Sequence, residues 1–112
     1  MNGDFNSLQE NFNSGYSYTR NNTTEGEYYI GTNPKNWYYL HYPCGDHTSG
    51  TGRMLLVNGS PEAGTPVWEM SIIVKPNTTY YFSFWITSIS KPNPARLEIS
   101  FNGKKIHLYC KS

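Results

Sequence analysis

From Thr79 to Thr87 apolar and polar positions alternate with period two. Tyr80, Phe82, Phe84 and Ile86 share one side; Tyr81, Ser83, Trp85 and Thr87 share the other. That period predicts a strand with one core face. Ala95–Phe101 repeats the pattern, with Ala95, Leu97, Ile99 and Phe101 set against Arg96, Glu98 and Ser100. Val67–Val74 does so again, with Trp68, Met70, Ile72 and Val74 set against Val67, Glu69, Ser71 and Ile73. Shorter strands are predicted at Glu27–Thr32, stopped by Asn33-Pro34, and at Met54–Val57, ended by Asn58-Gly59. Asn102-Gly103 predicts a tight hairpin into Lys104–Tyr109. Residues 6–26 and the stretch CGDHTSGTG at Cys44–Gly52 read as loops, with a dense aromatic run at Trp37–Tyr42 between them.

Strands with one apolar face bury it against a second layer. The expected fold is all-β: an antiparallel two-sheet sandwich formed by residues 1–112 as a single module. The face opposite the core carries Tyr81, Trp85, Arg96, Glu98 and Glu69. A solvated sheet face ordinarily holds Thr, Lys and Glu. Trp and Tyr beside Arg and Glu suit sugar recognition, because pyranose C–H faces lie on aromatic rings and charged groups bind hydroxyls. The expected ligand residues are Tyr81, Trp85, Arg96 and Glu98, helped by Trp37 and Tyr39. The competing reading is that the 6–26 loop or another sheet edge covers Trp85.

Composition narrows the function classes. Of 112 residues 15% are charged, below the usual ~25%, and eighteen are aromatic. Helix formers are scarce, which excludes a helical bundle and a doubly wound α/β enzyme. A net charge of +1 gives no field for nucleic acid or an anionic membrane, and no apolar run is long enough for a span. Cys44 and Cys110 are either a disulfide or two free thiols. Tyr-, Asn- and Thr-rich surfaces, with no leader visible before Asn2-Gly3-Asp4, suggest a mature extracellular or cell-surface domain. Asn22, Asn58 and Asn77 each begin a glycosylation sequon.

Several motifs occur together: Asn2-Gly3-Asp4-Phe5, DHTSGTG at Asp46–Gly52 before MLLVNG, Val67-Trp68, VKPNTTYYFSFW at Val74–Trp85, and LEISFNG at Leu97–Gly103. With them the chain resembles, from Asn2 to Gly103, jelly-roll modules of galactose-binding-like fold. Those modules are related to carbohydrate-binding modules of secreted and cell-surface bacterial proteins, especially of the Bacteroidetes. The resemblance implies membership in a larger multidomain protein, a polysaccharide ligand, and a structural calcium. Asp4 and Asp46 match the acidic positions of the calcium set. Each also has a local reading, Asp4 as a turn cap and Asp46 as an Asx-turn. Such modules continue for several more strands with a closing acidic pair, so the expectation is one of three: a sandwich truncated of its last strands, a smaller closed sandwich, or open edges whose missing strands a second copy supplies.

Catalysis is not expected. Glu69 and Glu98 could lie on one sheet face and mimic a glycosidase pair, but carboxylates on adjacent strands are mostly solvated or hydrogen-bonding groups. Asp46 and His47 are neighbours that point apart on a strand, and no GxSxG, P-loop or HExxH is present. Two classes remain: a glycan-binding module, and an extracellular adhesion or assembly module that dimerises through open strand edges.

Overall fold

The computed structural model describes residues 5–6, 12–90, 92, 94–102 and 104–106. Among these the chain is strand and coil with one short helix. The elements are β1 (Ser17–Tyr18), β2 (Glu27–Gly31), α1 (Pro34–Trp37), β3 (Met54–Asn58), β4 (Ile99–Phe101) and β5 (Lys104–Ile106).

β1, β2 and β3 form one sheet in that order. β2 pairs antiparallel with β3 over its whole length, from Glu27↔Asn58 to Gly31↔Met54, and parallel with β1. The predicted strands at 27–32 and 54–57 are therefore present, ending at Gly31 and Asn58. β1 lies inside the stretch read as a loop. Two residues give too short a pattern to register as a strand. Its ladder is nevertheless sound: Ser17 N–H donates to Gly26 O at 3.0 Å and Thr19 N–H to Tyr28 O at 3.0 Å.

Parallel neighbours usually need a crossover of about a dozen residues or more. Here the return is much shorter, and the carboxylate of Glu27 holds it. Glu27 is buried, and its Oε1 accepts from Thr23 N–H at 2.8 Å, Thr24 N–H at 2.9 Å and Asn22 Nδ2 at 3.0 Å. Those donors, the backbone ones foremost, hold the Glu27 carboxyl below its ordinary range.

α1 follows β2. Asn33 caps it through a hydrogen bond from Lys35 N–H to Oδ1 at 3.1 Å, and Pro34 occupies its first turn. This single turn swings Trp37 inward. Tyr28, Trp37 and Leu56 are the buried hydrophobic core among the described residues.

The rest of the chain is tied to this core by rings. Phe12 meets Tyr28 edge-on at 6.0 Å and Trp68 at 6.4 Å. Trp68 meets Phe82 at 6.4 Å, and Phe82 meets Phe101 at 5.5 Å. Phe101 belongs to the β4–β5 hairpin, where Phe101↔Lys104 pairing and Asn102 at φ 49° agree with the predicted turn.

Three predicted strands are corrected. Val67–Val74 and Thr79–Thr87 form no strand, and Ala95–Phe101 is strand only from Ile99. Their ladder contact among the described residues is one antiparallel bridge, Asn13↔Glu69. The predicted core residues are half-exposed: Tyr80 55%, Phe82 49%, Phe84 42%, Ile86 55%. A strand exists only with a neighbour to bond to, and an apolar face closes only under a second layer. Neither is supplied here by the described residues. The phase of the alternation survives all the same. Tyr81 and Trp85 are 96% and 74% exposed, more than their even-numbered neighbours. All-β character is thus observed as a three-stranded sheet and a separate hairpin.

Candidate functional site

Asp46 organises the loop that carries His47. Its Oδ1 accepts from Ser49 Oγ at 2.7 Å and Gly52 N–H at 2.6 Å, and its Oδ2 from Ser49 N–H at 2.8 Å. Gly50 sits at φ 76°, where a side chain is strained, and its N–H donates to Asp46 O at 3.0 Å. With that many donors aimed at it, the Asp46 carboxyl is held down to about 2.

This is the local Asx-type reading of Asp46. The carboxylate has little lone-pair capacity left for an ion, while calcium needs six to eight oxygens. Among the described residues no group of three or more His, Cys, Asp or Glu gathers for a metal. Asp4, the other acid that the resemblance assigns to calcium, lies outside the described residues.

The loop presents His47. Its imidazole lies on the Trp85 indole with ring centres 3.6 Å apart and planes 12° from parallel. Trp85 is still 74% exposed, so its other face is open. A ring held on one side and bare on the other is an aromatic shelf. Tyr81 shares the outward side of the segment and is almost wholly exposed. Arg96 and Glu98 are exposed as well.

Trp37 must be withdrawn from the ligand set. It is 2% exposed, its Nε1 donates to Thr19 O at 3.1 Å, and its ring stacks on Tyr29 at 6.5 Å. The reason is α1, whose cap and proline were read only as a turn. Tyr39 is 70% exposed, but its ring partner is Tyr38 at 5.1 Å, whereas the partner of Trp85 is His47. The shelf is thus Trp85 with His47 and not Trp85 with the 37–39 aromatics. His47 is visible in the sequence only as a neighbour of Asp46; nothing in the spacing signals a stack between two residues 38 positions apart.

Cys44 is a free, partly buried thiol, and Cys110 lies outside the described residues. His41 packs against Trp37 at 5.7 Å and Tyr38 at 5.0 Å, and its Nε2 is buried without a hydrogen-bond partner. Burial lowers its basicity. No described helix is long and apolar enough to cross a membrane.

Comparison of the chain with protein-family models, curated proteins and solved structures finds no match.

Proposed function

We propose that the chain is a non-catalytic carbohydrate-binding module that takes a polysaccharide by ring stacking. The observation behind this reading is the Trp85 indole, backed by His47 at 3.6 Å and open on its other face. A pyranose lays its C–H face on such a ring. An open shelf encloses little of its ligand, so affinity should be weak, roughly 10 µM to 1 mM, or about −4 to −7 kcal/mol. The test is calorimetry on neutral β-glucans, xylans, mannans and chitin. Trp85→Ala should abolish binding to the polysaccharide that wild type takes and leave the melt unchanged. No binding by wild type to any of them, or full binding by the variant, would defeat the reading.

One observation favours a second reading, assembly. The segment 72–86 exposes Ile72, Ile73, Val74, Tyr81 and Phe82 together, with strand periodicity and no ladder of its own among the described residues. Large exposed apolar stretches mark surfaces that another chain covers. Pairing with a second copy, or with further strands of a two-sheet sandwich, would bury them. Light scattering across a wide concentration range separates these readings: a dimer in which Trp85→Ala has no effect on glycan binding favours assembly. The same surface chemistry suits an extracellular or cell-surface setting.

A further inference from the structure

A cleft of about 360 Å³ opens at the Gly31 end of β2, away from Trp85. Its walls include Tyr18, Arg20, Tyr29, Ile30, Gly31 and Arg53, with no acidic residue among them. The two arginines come from separate parts of the chain. Arg20 follows β1, and Arg53 precedes β3, so sheet pairing brings them to the same rim. Arg53 is fixed at its backbone, where its N–H donates to Asn6 Oδ1 at 2.9 Å. One guanidinium nitrogen, Nη1, makes a long contact of 3.5 Å to Asn6 O, which leaves its other donors for a ligand. The carboxylate of Glu27, at the other end of β2, is turned to the 22–24 loop and so does not neutralise the rim.

The aromatic wall is also built. Tyr18 and Tyr29 meet at 5.9 Å with planes tilted by 48°. Tyr29 is backed by Trp37 at 6.5 Å. A Cβ at position 31 would run into the Tyr29 ring, so the missing side chain of Gly31 is what lets that ring lie across the strand.

We infer that this cleft binds an anionic sugar residue, one carrying a carboxylate or sulfate, with Arg20 and Arg53 on the acid group and the tyrosines against the ring. Guanidinium forks match oxoacid geometry, whereas neutral sugars need no such pair. The volume falls in the range of small-ligand clefts, ~300–1,000 Å³, rather than of an extended groove. Nucleic acid fits less well, because it calls for a basic stripe and the chain carries a net charge of only +1. The site is separate from the Trp85 shelf and shares with that proposal only the glycan class.

The test is calorimetry with the full chain at about 50 mM salt on oligogalacturonate, chondroitin sulfate oligosaccharide, neutral dextran oligosaccharide and a single-stranded DNA oligomer. Variants are Arg20→Gln, Arg53→Gln and Arg20→Lys, each checked for an unchanged melt, with Trp85→Ala as the control at the other site. Expected is binding to one or both acidic oligosaccharides, weakened about tenfold by either glutamine variant and partly by Arg20→Lys, and lost at high salt. Which acidic arm binds decides between carboxylate and sulfate. Trp85→Ala should leave it intact, so loss of neutral-glycan binding and loss of this site remain distinguishable. Equal affinity for dextran, no effect of the glutamine variants, tighter binding to DNA, or no binding to either acidic oligosaccharide would each overturn the proposal.

Discussion

Trp37 and Trp85 are the same side chain in opposite circumstances. Trp37 is covered on both faces by Tyr29 and His41, hydrogen-bonded to Thr19, and ends a helical turn that follows directly on a paired strand. Trp85 touches one imidazole and faces outward from a segment with no ladder of its own among the described residues. The sequence around Trp85 has the stronger strand pattern of the two. Periodicity therefore specifies which side of a segment turns inward, while closure depends on a partner that the pattern does not name.

The largest effect should separate the two regions directly. Trp37→Ala should cost about 3–5 kcal/mol, enough to unfold much of a domain this small. Phe84→Ala should cost less than about 1.5 kcal/mol, because the ring is 42% exposed already. Chemical denaturation of both variants checks this. Equal costs would mean that residues 79–87 are closed by a partner in solution, and the contrast would fail.

Glu27→Ala comes next, at about 1–3 kcal/mol, since it strands the N–H groups of Thr23 and Thr24. The same bond has a pH signature. The Glu27 carboxyl is lowered in the folded state, so its contribution is present above the ordinary carboxylate range and is lost as pH falls through its folded value. The variant should flatten the acid limb of the stability curve, read from melts between about pH 5 and pH 2.

His41 should give a smaller change at milder pH. Its folded basicity is lowered, so the unfolded chain binds the proton first. Stability from this residue is full above the ordinary histidine value near ~6.5 and declines as pH falls below it. His41→Phe should remove that slope, and an unchanged slope would assign it elsewhere.

The smallest effect concerns Asp46. Its loop is closed by its own donors, so calcium and chelator should give the same melting temperature. A rise with calcium would restore an ion to that loop.

The strands at 27–31 and 54–58 and the 101–104 hairpin were legible because each is short, apolar and bounded by turn residues that end it. The inward side of 67–87 was legible too, since period two survives without pairing. β1 was not, being two residues long, and neither was α1, because Asn33-Pro34 serves equally as a turn and as a helix start. That turn is what places Trp37 in the core. His47 and the Arg20–Arg53 rim depend on contacts between distant positions, which no local spacing encodes.

The clamp around Glu27 also bears on how the protein is best produced. Asn22 Nδ2 donates to Thr24 O and Glu27 Oε1, and Asn58 Nδ2 donates to Asn22 Oδ1 and Thr24 O. Each amide has spent both of its protons, yet each also heads a sequon. A eukaryotic secretion host that attached a glycan to either nitrogen would take away one of those protons before the sheet had formed. Asn77, exposed in its turn at φ 54°, has room for such a sugar. Material from that host should carry sugar at position 77 when it folds, and a bacterial host avoids the conflict altogether.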